Sequence, residues 1–235
     1  MGWALAGGAT VDPAGNVYIS WAGYEQNGGA KGPVNLFISR SADGGATWTN
    51  TILDVSGAPP DCSAYLCGWA YLGAQITIAS DSAGTIYALW NASAKNEDKG
   101  PERIYFARTN NGGESWSAKQ DVSTASIGIH HAFPAIVAGS DGDVRISWMD
   151  TRVGAGMDRW NTYYRSSTNS GNTWSNEVDL STYVSGYSYI FPDGFRFPFG
   201  DYFEMAIDDR GNTHAVWGEG YNYNSPGSIW YTTGR

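Results

Sequence analysis

The sequence predicts an all-β fold, a β-propeller of four-stranded antiparallel blades, about four of them in 235 residues. Three observations predict it. One turn motif recurs three times, a strand–turn–strand pattern ending in tryptophan recurs four times, and no segment carries a 3.6-residue apolar period. Composition agrees. Glycine numbers 31 of 235, nearly twice the usual ~7%, and with 11 Trp and 15 Tyr it suits short strands and tight turns.

Each repeat opens with an apolar strand A, such as Ala135 to Ala138, and a polar Asp/Gly turn. An alternating strand B then ends in Trp21, Trp90, Trp148 or Trp217. Strand C follows a variable loop, as in Asn35 to Ser41, Arg103 to Thr109 and Asn161 to Ser167. A Ser/Thr-x-Asp/Asn-x-Gly-x-x-Trp turn comes next (Ser41 to Trp48, Thr109 to Trp116, Ser167 to Trp174), and strand D is expected to start at its Trp. In that turn the Asx side chain accepts backbone N–H groups, the glycine takes positive φ, and the Trp packs into the sheet. Asn111 and Asn169 stand where the first copy has Asp43. An amide serves a turn equally well and a catalytic role badly, so the motif is structural. The blades fall at about 1–56, 68–124, 131–182 and 198–235, in a single propeller domain or fragment. The fourth has no strand D, so the expectation is part of a six-bladed ring or a truncated variant. Further blades or a homo-oligomer would then complete it.

These turns resemble the Asp boxes, or bacterial neuraminidase repeats, of sialidase-like propellers, and the resemblance extends over all four units. It implies a glycan-engaging extracellular propeller, an exo-glycosidase on acidic sugars if active. The alternative is a non-catalytic carbohydrate- or protein-binding scaffold. The family holds a sugar carboxylate with three arginines and uses a Tyr/Glu pair with an Asp acid/base. Its first arginine lies in a Phe/Tyr-Arg-Ile-Pro motif. The nearest counterpart, His131-Ala132-Phe133-Pro134, has Ala132 in the arginine position, whereas Phe195-Arg196-Phe197-Pro198 keeps the arginine.

Blade topology puts the A–B turns and the Asx turns on one face, and the B–C loops and blade connectors on the other. Ligands are expected on the second face. It is to hold the loops Ala22 to Pro33, Asn91 to Pro101, Met149 to Trp160 and Gly218 to Pro226, and the connectors Ser56 to Gly73 and Tyr183 to Gly200. The catalytic candidates there are Asp150, Asp201, Glu204 and Tyr202. The substrate-binding candidates are Arg152, Arg196, Asp158, Arg159, Glu219 and Tyr221. Carboxylates split acid and nucleophile roles, guanidinium groups hold an acidic sugar, and rings stack on its C–H faces. His130-His131 lacks a third ligand at metal spacing and reads as polar surface, so no metal or cofactor is expected.

The net charge of −9 argues against nucleic acid, and no apolar run reaches a membrane span of ~18 residues. Met1-Gly2-Trp3 does not begin a signal peptide. Two cysteines, Cys62 and Cys67, five apart in one connector, fit a local disulfide in a secreted protein, with two reduced surface thiols as the alternative.

Overall fold

The computed structural model describes residues 2–26, 31–60, 72–97, 99–154, 160–181, 203–219 and 228–234. These form four antiparallel sheets, with no helix among them. The first sheet is β1 (Trp3–Val11), β2 (Val17–Gln26), β3 (Lys31–Ser41) and β4 (Thr49–Ser56), in that order. The second is β5 (Ile76–Ser80), β6 (Ile86–Ala92), β7 (Arg103–Thr109) and β8 (Gln120–Asp121). The third is β9 (His131–Ala138), β10 (Val144–Asp150), β11 (Asn161–Ser167) and β12 (Val178–Asp179). The fourth has three strands, β13 (Phe203–Ile207), β14 (Thr213–Glu219) and β15 (Ser228–Gly234).

The first strands of the four sheets stand side by side, β1 on β5, β5 on β9 and β9 on β13, so the sheets radiate from a common axis. Among the described residues the ring stays open between β13 and β1. Apolar residues fill the wedges between neighbouring sheets. Tyr18, Leu36, Ile76 and Trp90 pack between the first and second, and Tyr87, Phe106, Ile136 and Trp148 between the second and third. Met149, Trp160, Met205 and Trp217 pack between the third and fourth. All seven residues of β6 and of β10 are buried, because these strands lie between two neighbours. Truncating a Trp in such a wedge costs about 3–5 kcal/mol.

The repeated turns form as their side chains dictate. Asp43 Oδ1 accepts from Ser41 Oγ (2.8 Å) and from the Thr47 amide (2.8 Å), while Ser41 Oγ accepts from the Gly45 amide (2.8 Å). Asn111 and Asn169 accept in the same way from the Ser115 amide (3.1 Å) and the Thr173 amide (2.9 Å). The A–B turns use a second aspartate, whose Oδ1 takes an amide four residues on: Asp12 from Asn16 (2.9 Å), Asp81 from Thr85 (2.9 Å) and Asp208 from Asn212 (2.7 Å).

Three expectations are corrected. The outer strands of the second and third sheets do not start at Trp116 and Trp174 but shrink to two residues each. Ser117 Oγ takes the Arg108 amide (3.1 Å) and Ser175 Oγ takes the Ser166 amide (3.0 Å), which breaks the ladder there. The first B–C loop is shorter than Ala22 to Pro33, because Ala22 and Tyr24 are buried in the first wedge and carry β2 to Gln26. Of the three turn tryptophans, Trp174 meets Phe106 of the preceding sheet edge-on at 5.0 Å and Trp116 packs on the first wedge. Trp48 is 40% exposed, since among the described residues no sheet precedes its own.

Candidate functional site

The four inner strands bound an axial cleft of about 840 Å³. Its walls are close because the residues are small. A Cβ on Gly7 would lie 1.7 Å from the Ile76 carbonyl oxygen, so only glycine lets β1 approach β5 there. Ser20 Oγ clips the same carbonyl at 3.1 Å. At the strand starts, hence at the connector-face mouth, the lining holds Gln75 before β5, Phe133 in β9, and Phe203 and Glu204 in β13. Glu204 is the one charged residue among the described lining, and it is exposed. Phe133 is buried yet has φ 53°, at an irregularity where the β9–β10 register shifts. A bulky residue in that region is strained, and such strain gathers at functional sites.

Beneath the connector face runs a polar layer built from strand ends. Asp150, the last residue of β10, is fully buried. Its oxygens accept from Trp148 Nε1 (2.9 Å), Arg152 Nε (2.9 Å) and Arg152 Nη2 (2.5 Å). Arg152 Nη1 pairs with Glu177, and the guanidinium carbon lies 3.8 Å from the Tyr163 ring centroid. Burial alone would pull the Arg152 pKa down, but the bonds and charges of Asp150 and Glu177 outweigh it and push it up. Arg152 Nη2 also donates to Ser123 Oγ (3.2 Å), which bonds His131 Nε2 at 2.8 Å. His131 Nδ1 lies 2.8 Å from the Glu102 carbonyl. A carbonyl only accepts, so Nδ1 carries the proton and Nε2 accepts from Ser123. Burial lowers the His131 pKa against the opposing charge of Asp150, which favours the neutral ring.

His131 is therefore not polar surface as its sequence suggests; it is 1% exposed, because each ring nitrogen has a partner inside the layer. Sequence reading also passed over Glu102 and Tyr24. Glu102 accepts from Asn91 Nδ2 (2.5 Å) through one oxygen. Its other oxygen and the Tyr24 hydroxyl are buried with no hydrogen-bond partner among the described residues. Burial drives the Glu102 pKa well above the carboxylate range, Asn91 opposing, and burial with the Glu102 charge raises that of Tyr24. No motif marks them, since a Glu beginning a strand is usually solvated.

Of the sequence candidates, Asp150 and Arg152 come together as an internal ion pair, and Glu204 stands apart from them in the axial cleft. Asp158, Arg159, Arg196, Asp201, Tyr202, Tyr221 and the side chain of Glu219 lie outside the described residues, as do Cys62 and Cys67.

No protein-family model matches the chain, and no curated protein does. Solved structures do. An α-L-arabinanase of Penicillium chrysogenum, complexed with arabinobiose, aligns with TM-score 0.59 at 16% identity, over 98% of this chain and 62% of that one. A Hadza microbial sialidase aligns with TM-score 0.57 at 16% identity, over 99% and 44%. A GH93 α-L-arabinofuranosidase of Fusarium graminearum, also with arabinobiose, aligns with TM-score 0.54 at 16% identity, over 97% and 62%. The chain thus spans less than two thirds of the length of each. At such identity the likeness establishes the fold, a sialidase-like β-propeller.

Proposed function

We propose that this chain is the propeller, or part of the propeller, of an extracellular glycan-engaging protein, and that the sugar meets the connector-face mouth of the axial cleft. The cleft carries this reading. It falls within the ~300–1,000 Å³ of small-molecule sites, and its mouth combines the half-buried Phe203 ring for a sugar C–H face with an amide and a carboxylate for hydroxyls. The arabinobiose complexes of similarly folded propellers support carbohydrate as the ligand class. In this reading the three Asx turns are Asp boxes, residues 1–235 form one domain, and Cys62 and Cys67 are joined in an oxidising compartment.

The finer reading is hydrolysis of an acidic glycoside. It needs a second carboxylate about 5–9.5 Å from Glu204 and a cation for the sugar acid. Asp201 and Tyr202 immediately precede β13, and Arg196 lies in the same connector. One observation favours the non-catalytic scaffold instead: Arg152 is already bound by Asp150 and Glu177 and has no guanidinium edge to offer a substrate.

A panel of chromogenic glycosides with sialosides and uronides, run beside a glycan array, separates these. Release from an acidic glycoside that falls at least about 100-fold in Glu204→Gln supports the hydrolase. Array binding lost in Glu204→Gln, without release, supports the scaffold. Neither release nor binding overturns the assignment of the cleft.

A further inference from the structure

The repeat supplies its own comparison on the turn face, opposite the cleft mouth. Between the second and third sheets, Trp174 Nε1 donates to Gln120 Oε1 at 3.2 Å. Arg108 donates to the Asn169 and Ser170 carbonyls and, through Nη2, to Asn172 Oδ1 (2.8 Å). One blade earlier the matching positions are Thr51, Trp116 and Arg40, and these bonds are gone. Thr51 pairs with Ile38 as Gln120 pairs with Phe106, so the two are counterparts, but a threonine is too short to reach the indole. Trp116 Nε1 and Arg40 Nε are both buried, with no hydrogen-bond partner among the described residues.

Both residues line a cavity of about 300 Å³, together with Tyr18, Thr49, Thr51 and Glu114. Gly112 makes room for the guanidinium, since a Cβ there would lie 3.2 Å from Arg40 Cζ. Arg40 Nη2 makes a long bond to Asn16 Oδ1 at 3.3 Å, and the guanidinium also meets the Tyr18 hydroxyl. Glu114 stands where Asn172 stands in the next blade; it lines the cavity but forms no ion pair with Arg40 among the described residues. The Tyr18 hydroxyl donates to Asp12 at 3.1 Å.

A buried donor without a partner is costly, and two such donors on residues that line one space, one of them cationic, call for an anionic acceptor. Carboxylate fits best, because bonds from a guanidinium to a carboxylate are about twice as strong as neutral ones. The two threonines add hydroxyls at the rim, and the volume admits one ring. We infer that this gap between the first two sheets binds the carboxylate of a small organic acid of monosaccharide size, held by Arg40 Nε and Trp116 Nε1. Glu114 is its internal competitor. The inference does not depend on the axial cleft or on any hydrolysis there.

Indole N–H resonances of the whole chain, labelled with ¹⁵N-tryptophan, provide the test. The probes are D-glucuronate, acetate (the carboxylate without a ring) and D-glucose (the ring without a carboxylate). One resonance, absent in Trp116→Phe, is expected to move with glucuronate and acetate and to ignore glucose. Arg40→Gln should weaken glucuronate at least about tenfold, the loss of one charged hydrogen bond. Glu114→Gln should tighten it severalfold. Thr51→Gln should place an amide oxygen on the indole as Gln120 does on Trp174. It should shift the Trp116 resonance without ligand and block the titration, leaving the other indole signals in place. The inference is overturned if the Trp116 resonance stays fixed throughout both acid titrations, or if glucose moves it equally. It also fails if Arg40→Gln titrates like the unaltered chain. Should that variant not fold, undiminished glucuronate binding by Thr51→Gln is enough to reject it.

Discussion

Arg152 grips Asp150 two residues back along the chain, with Nη2 2.5 Å from Oδ2 and Nε 2.9 Å from Oδ1. The carboxylate is fully buried and the guanidinium side chain is 22% exposed, so this pair is internal. Removing one partner strands the other. Arg152→Ala should destabilise the protein by about 3–5 kcal/mol, because it leaves both Asp150 and Glu177 uncompensated. Urea unfolding measures this; an unchanged midpoint means the pair is not structural.

Glu102 gives a pH dependence of opposite sign to the usual carboxylate. Burial holds its folded-state pKa well above that of the unfolded chain, which is about 4.3. Its contribution to stability is complete below about pH 4 and is lost as pH rises through the folded-state value. Glu102→Gln, which keeps the shape without the charge, should raise the denaturation midpoint at pH 8 more than at pH 4. Equal effects at the two pH values would show that the folded-state pKa of Glu102 is not raised.

Asp43 behaves in the reverse sense. Hydrogen bonds from Thr47 and Ser41 lower its pKa to about 2, below the ~3.9 of an unfolded aspartate. Its contribution is complete above about pH 4 and is lost as pH falls toward 2. Asp43→Asn should flatten that acid limb while keeping the turn, as Asn111 and Asn169 do. The check is a thermal midpoint series from pH 2 to pH 6.

Ser170 has φ 59° where the other two turns carry Gly44 (φ 70°) and Gly112 (φ 71°). A side chain in that region costs about 1–2 kcal/mol, part of which the greater unfolded-state freedom of glycine returns. Ser170→Gly is expected to stabilise by about 0.5–1 kcal/mol in equilibrium unfolding, provided the turn is unmoved. A loss of stability would mean that the hydrogen bond between the Ser170 and Tyr87 side chains outweighs the backbone strain.

The sequence by itself determined what depends on local chemistry and spacing. An Asx, a hydroxyl two residues before it and a glycine two residues after it suffice for a turn, so Ser41 to Trp48 and its two copies are legible without coordinates. Four alternating strands ending in Trp21, Trp90, Trp148 and Trp217 announce four sheets, because apolar alternation reports which faces are covered. What the tertiary structure alone decided is what each polar side chain meets across a sheet boundary. Asp150 and Arg152 look like a ligand-face charge pair in the sequence, but Glu177, one strand pair away, closes around the arginine. Glu102 and His131 lie 29 positions apart and join one buried layer only when β7 and β9 converge. Trp116 and Trp174 occupy the same motif position, yet one indole is bonded and the other is not, because the partner comes from the neighbouring sheet. Local patterns encode a strand and its turn; burial and pairing between blades depend on distances that no periodicity records.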